Sequence, residues 1–222
     1  MSSIGAGYDL SVAEYSPDGQ IFQIEYAQKA VTDSSTVLAI CNKKSVVFAS
    51  TKPIRSKLHI ATSNKLVHPI DRHVAILICG LLPDGAYLIE HARKEAKNYR
   101  DEYNDDIPIH YLQERLALLM HAYTRYSAVR PFGVNLIIGG YDKFNGVQLY
   151  MVNTGGVSYG YYGCAGGKAR QTARTEMEKL DLEKLNDSQM INSATEIQIK
   201  PTTFWEKWSY SATAPCCFSP FL

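Results

Sequence analysis

At 222 residues, 45% hydrophobic and 20% charged, the chain is sized for one domain with a sizeable core or two small ones. Its formal net charge of +1 gives no electrostatic case for a nucleic-acid or membrane partner. The longest apolar run, residues 74–82, is too short to cross a bilayer, and the start MSSIGAGYDL lacks the basic and apolar stretches of a secretory signal. Five scattered cysteines (Cys41, Cys79, Cys164, Cys216 and Cys217) show no metal-ligand spacing and read as free thiols of a reducing compartment, cytosol or nucleus.

Residues 1–15 are small and polar without a period and read as a mobile tail. Ser16-Pro17-Asp18-Gly19 is a turn, because Pro17 presets φ and Gly19 tolerates a positive φ. A helix is predicted over residues 20–31. Its apolar residues Ile21, Phe22, Ile24, Tyr26, Ala27, Ala30 and Val31 do not share one stripe, so cover is expected from neighbouring chains as well as from its own core. Two β runs follow at 36–41 and 45–50, joined by Asn42-Lys43-Lys44. Residues 74–79 form a nearly all-apolar strand, as for one buried on both faces. Pro83-Asp84-Gly85 then breaks the chain.

After that break Ala86, Ile89, Ala92, Ala96, Tyr99 and Tyr103 recur at helical spacing. Pro108 opens a second helix with Leu112, Leu116, Leu119, Tyr123 and Tyr126 in register. Three strands are predicted at 134–139, 147–152 and 157–162, turned by Asn145-Gly146 and Gly155-Gly156. An amphipathic helix covers 168–182, and after Asn186 the pattern fades into a segment with Pro215, Pro220 and two tryptophans. Runs of strands alternating with runs of helices argue for packed sheets covered by helix pairs, not a parallel βαβ fold.

Local catalytic signals are weak. None of the six histidines (His59, His68, His73, His91, His110, His121) forms a metal pair at i, i+4 on a helix. Gly166-Gly167-Lys168 before a helix lacks the spacing of a phosphate loop, and Ala169 stands where the magnesium-binding hydroxyl would be. The carboxylates Asp84, Glu90, Glu95, Asp101 and Glu102 alternate with Arg93, Lys94, Lys97 and Arg100, which reads as a solvated helix face with ion pairs.

The segment Tyr15-Ser16-Pro17-Asp18-Gly19-Gln20-Ile21-Phe22-Gln23-Ile24-Glu25-Tyr26-Ala27 resembles the signature of proteasome α-subunits. The resemblance continues through 35–50, Asp71-Arg72-His73-Val74, Cys79-Gly80-Leu81-Leu82, residues 122–133, and Gln148-Leu149-Tyr150 with residues 157–161. Gly7-Tyr8-Asp9-Leu10 and Lys168-Ala169-Arg170-Gln171 narrow it to one branch of that family. It implies an α+β fold, a four-layer α-β-β-α sandwich of the N-terminal nucleophile hydrolase type. The expected division is a gate tail at 1–15, the α-subunit domain at 16–185 and a divergent segment at 186–222. Because that last segment departs from the family's further long helix and strands, the sandwich is expected to be incomplete at its C-terminal end and to bare apolar sheet surface.

Catalytic β-type relatives use an N-terminal threonine whose own amine is the base. By resemblance Ser35 falls where that threonine would be, preceded by a tail and a helix; Thr51 stands where those enzymes carry an aspartate, and Lys65 corresponds to their lysine. The resemblance therefore implies a non-catalytic structural and gating subunit of the 20S α ring, acting in ubiquitin-dependent degradation in cytoplasm and nucleus without a cofactor. The implied partners are other α-subunits in a heteroheptameric ring, β-subunits and regulatory or activator particles. The residues at 88–103 and 112–127 are expected to meet the β ring. Implied gate residues are Tyr8, Asp9, Pro17 and Tyr26; the implied activator pocket has Lys65 meeting a terminal carboxylate, with Gly80 and Ile21 as lining. Two alternatives stay open: a threonine or serine peptidase processed before Ser35 or Thr36, and an unassembled truncated isoform with a binding role.

Overall fold

The computed structural model describes residues 7–53, 56, 58–60, 63, 65–182, 184–199, 210–212 and 216–218. Helix α1 (Phe22–Thr32) precedes strands β1 (Val37–Cys41), β2 (Val46–Pro53), β3 (Val67–Pro69) and β4 (Val74–Gly80). The helix pair α2 (Leu82–Tyr103) and α3 (Ile109–Ala122) follows, then β5 (Val134–Asp142), β6 (Gly146–Val152), β7 (Ser158–Gly160) and β8 (Gly163–Gly166). The chain continues through α4 (Arg170–Glu178) and α5 (Asp187–Ile199) to the short strands β9 (Tyr210–Ala212) and β10 (Cys216–Phe218).

Two antiparallel sheets result. One has the order β10-β2-β1-β8, with β9 also on β2; the other runs β3-β4-β5-β6-β7. Alternation along the strands sorts side chains into three layers of core. Val74, Ile76 and Ile78 of β4 and Val134, Leu136 and Ile138 of β5 face α2 and α3, against Leu88, Ala92, Leu112 and Leu116. Their alternates Ala75, Leu77, Cys79 and Ile137 face the other sheet, meeting Val37, Ala39, Val46 and Phe48. On the far side Leu38, Ile40, Val47 and Ala49 pack under α4 and α5. The expected α-β-β-α sandwich is therefore present, with α1 packed at one end against β4 and β5.

Several boundaries differ from the sequence reading. Residues 157–162 are not one strand. The Tyr161 amide still donates to Leu149 of β6 (2.9 Å), whereas the Tyr162 carbonyl already accepts from Cys41 of β1 (2.8 Å). The chain thus changes sheets between two adjacent tyrosines. Helix α2 begins at Leu82, so Pro83-Asp84-Gly85 forms its first turn rather than a break; a proline is tolerated there because that turn's amides have no intrahelical acceptor. Helix α3 stops at Ala122, where the Thr124 hydroxyl donates to the His121 carbonyl (2.7 Å), so Tyr123 and Tyr126 lie beyond it. Strand β3, only three residues long, is too short to show a period in the sequence.

The fading of regular structure after Asn186 is also corrected. Helix α5 buries Met190, Ala194 and Ile197 on one face, at three- and four-residue spacing, over the outer face of β1 and β2. Asp187 in its first turn accepts hydrogen bonds from the Ser45 hydroxyl (2.6 Å) and the Asn42 carboxamide (3.2 Å), tying it to the β1–β2 turn. Among the described residues α4 and α5 cover the outer face of this sheet. Cys41, Cys79 and Cys164 are buried free thiols, and burial raises all three; Cys41 and Cys79 are pushed up to about 11. No helix among the described residues is long and apolar enough to cross a membrane.

Candidate functional site

The residues assigned to the gate lie along the chain leading into α1. The Ser16–Gly19 turn closes as expected, with the Gly19 amide donating to Ser16 O (2.8 Å) and Gly19 at φ +77°. Ser16 is buried, and its hydroxyl accepts the Gln20 amide (3.1 Å), so the turn is fastened just ahead of the helix. Pro17 sits exposed at the turn's tip. Tyr26, half-exposed, stacks on Phe22 one turn earlier with ring centroids 6.3 Å apart. Tyr8 is exposed, and Asp9 is held through its carbonyl, which accepts from the Gln23 carboxamide. Among the described residues no hydrogen bond joins Tyr8 or Asp9 to Pro17 or Tyr26. Gln23 was missed as a site residue, although it stands in the first turn of α1 within the quoted signature. Val12, only 3% exposed, was missed as a second anchor of the same segment.

Lys65 lies exposed in the connection into β3. The Ile78 amide donates to Leu66 O (2.9 Å), which continues the β3–β4 ladder and brings Lys65 level with the end of β4, where Gly80 closes the strand. Gly80 has φ +133°, and a Cβ there would stand 2.3 Å from Gly133 O, so backbone closeness alone calls for glycine. Ile21 caps the start of α1. Ala30 of the same helix lies beside Gly133, 3.7 Å from where a Cβ there would stand. Ala30 is nine residues from Ile21, about 14 Å along the axis. Lys65 thus lies near the end of β4 that Gly80 closes.

Ser35 sits in the short link between α1 and β1, bonded through its amide to Ser34. The β8–α4 turn closes over this link: the Lys168 amide donates to Ser34 O (3.1 Å), and the Ala169 amide donates to the Thr36 hydroxyl (3.2 Å). Gly167, at φ +87°, approaches so closely that a Cβ would lie 2.3 Å from Ser35 O. The Thr51 hydroxyl, where the catalytic relatives' aspartate would be, donates to Thr36 O (2.9 Å) and offers no carboxylate.

Two charged clusters lie elsewhere on the fold. Asp84 is held below the usual carboxylate range by the Arg130 guanidinium, which grips both its oxygens (2.6 and 2.7 Å), and by the Gly133 amide (3.0 Å), against the upward push of burial. Asp71, His73 and Asp106 are, among the described residues, the one group whose ligand atoms converge as a metal's would, within 4.8 Å. Arg100 already bridges the two carboxylates, reaching Asp106 at 2.8 Å and pairing with Asp71 as well. Burial pushes the Asp71 carboxyl up, but Arg100 and the Arg72 amide outweigh it and hold it low. The guanidinium occupies the place of the cation, so the cluster reads as an ion-pair network pinning the β3–β4 turn to the end of α2.

Comparisons with known proteins agree along the chain. The family described as "Proteasome subunit" matches residues 31–198, and the N-terminal signature of A-type proteasome subunits matches residues 8–30. The alpha type-3 proteasome subunit of Drosophila melanogaster is 46% identical over 200 residues, covering 90% of this chain and 79% of that protein. The Arabidopsis thaliana alpha type-3 subunit is 44% identical over 200 residues, covering 90% and 80%. A probable alpha type-7 proteasome subunit of Saccharomyces cerevisiae is 47% identical over 180 residues, covering 81% and 62%. The family match runs through α5, beyond the boundary at residue 185 expected from the motifs.

Proposed function

This chain belongs to the proteasome subunit family as an α-type member resembling alpha type-3, and from that premise we propose that it is a non-catalytic structural and gating subunit of the 20S α ring. In this reading it docks on β-subunits and activators, admits substrates for ubiquitin-dependent degradation, and works in cytoplasm and nucleus. The observation that carries the gate assignment is the fastening of the Asp9 backbone to Gln23, on a helix that follows directly from the buried Ser16 turn. A tail costs roughly 1–2 kcal/mol per ordered residue, so its position depends on a few such contacts acting together. Losing one hydrogen bond of about 1 kcal/mol changes the open population several-fold. Neighbouring subunits would meet through heterologous, ring-closing surfaces, which suits a helix with Tyr26 half-exposed on its outer side.

The non-catalytic part of the reading is supported by Ser35 lying in a peptide link under the β8–α4 turn and by Thr51 in place of a carboxylate. The test is peptide hydrolysis by assembled particles carrying Gln23→Ala, which removes the bond to Asp9, or Tyr8→Ala. The basal rate should shift several-fold while active-site titration of the β-subunits stays the same; an unchanged rate with and without activator sinks the gate role. Lys65→Ala in the same particles should weaken activator binding, and equal affinity dismisses the pocket. Intact mass of the assembled subunit checks processing: a chain cut before Ser35 or Thr36 overturns the non-catalytic assignment.

A further inference from the structure

Asn145 is the one asparagine of the chain that is followed by glycine. It lies exposed in the turn between β5 and β6, and Gly146 after it takes φ +72°. A Cβ at Gly146 would meet nothing within 4 Å, so the flank of its amide is open. After every other asparagine the next residue is Lys, Tyr, Asp, Leu, Thr or Ser, whose side chain screens the amide that follows. Asn42 and Asn135 are also buried, and Asn98 and Asn192 sit inside α2 and α5, where the helical ladder engages those amides.

The Asn145 carboxamide is loosely held. It donates to Asp142 Oδ2 at 3.3 Å, and among the described residues this is its one hydrogen bond. Asp142 is the fixed side of the pair: it is 6% exposed and also accepts the Phe144 amide (3.2 Å). Lys143, in the same turn, reaches Asp105 at 2.5 Å and Asp106 at 3.8 Å, tying the hairpin to the connection between α2 and α3.

We propose that Asn145 is a site of spontaneous deamidation, at which the turn acquires a negative charge beside the buried Asp142. Hydroxide takes the proton of the Gly146 amide, and that nitrogen attacks Asn145 Cγ. The new N–C bond closes a five-membered imide; the carboxamide C–N bond breaks, and its nitrogen leaves as ammonia with a proton from water. Water then opens the ring at either carbonyl, giving an aspartate or an iso-aspartyl link. No electron changes hands and no enzyme is needed. Because the turn is exposed, the opening that lets the two atoms meet is a local one. The product replaces a donor to Asp142 by a like charge, and the new carboxylate competes with Asp105 for Lys143. The iso-aspartyl form also adds a backbone atom ahead of Gly146, which pairs with Asp142 in the β5–β6 register. The turn lies apart from the tail and from Lys65, so failure here would leave the proposed gating role untouched.

Peptide mapping by mass spectrometry, on the full native chain incubated at 37 °C at pH 7 and at pH 9, tests the site. A gain of one mass unit should appear at Asn145 ahead of every other asparagine, as two chromatographically distinct products, and faster at pH 9. Gly146→Ala, which gives the attacking amide a neighbouring methyl group, should slow the gain several-fold. Asn145→Asp should melt about 2–4 °C below the native chain at pH 7, a readout independent of the reaction rate. A native chain unchanged at Asn145 while the urea-unfolded chain gains mass there overturns the proposal, because the fold would then protect the turn. An equal rate in Gly146→Ala overturns it as well, as does an Asn145→Asp chain that melts with the native one.

Discussion

Removing the Asp84 carboxylate should loosen the joint between α2, the chain after α3, and β5. In the native fold Asp84 lies in the first turn of α2 with its side chain only 10% exposed, holding both nitrogens of the Arg130 fork and the Gly133 amide. Arg130 is 62% exposed, so its two bonds are partly replaced by water once broken and contribute little. The Gly133 amide is in a buried bond and would be left unsatisfied, at about 1–3 kcal/mol. The favourable placement of a negative charge at a helix start adds about 0.3–1 kcal/mol. Asp84→Ala should therefore destabilise by about 3 kcal/mol, lowering the melting temperature by about 6–12 °C for a chain of this length. Because the folded carboxyl titrates below its ordinary 3.8, the contribution is complete well above that pH and is lost as the pH falls through the lowered value. Differential scanning calorimetry of native and variant chains from pH 7 downward checks both parts. A fall of under 2 °C at pH 7, or a gap between the two that widens in acid, would refute the reasoning.

Gly167→Ala should destabilise far more than Gly146→Ala, although both glycines have positive φ. A Cβ at Gly167 meets the Ser35 carbonyl, whereas one at Gly146 meets nothing within 4 Å. Urea unfolding should show a loss of about 1 kcal/mol at Gly146 and several times that at Gly167; equal losses would mean that backbone conformation alone governs both sites. Met190→Ala empties a fully buried position under α5 and should lower stability by about 2–5 kcal/mol. An unchanged urea midpoint would mean that α5 does not cover the sheet.

Residues 16–19 and β1, β2, β4 and α2 were legible because each is encoded in consecutive residues: a Pro-Gly turn, an apolar run, a 3.6-residue period. The candidate gate residues and Gly80 and Ile21 were picked out by motifs of consecutive residues, which carry positions in the chain and no contacts. Gln23 illustrates the difference. Its identity was in the signature, but nothing in the period of α1 says that its carboxamide reaches back fourteen residues to Asp9. Helix α5 escaped notice because Met190, Ala194 and Ile197 are spaced regularly but include one small residue, and the segment's polar remainder mutes the pattern.

By itself, then, the order of residues determined the periods, the turns and the family, because these depend on neighbours within a few positions. Tertiary structure alone decided where the chain leaves one sheet for the other. Tyr161 and Tyr162 are both competent strand residues, and the switch depends on which carbonyl and amide the edges of β6 and β1 leave open. It alone also decided that Asn135 is buried and lines one cavity with Gln28 of α1 and Arg170 of α4, since these residues are far apart along the chain and meet only when the layers close on one another.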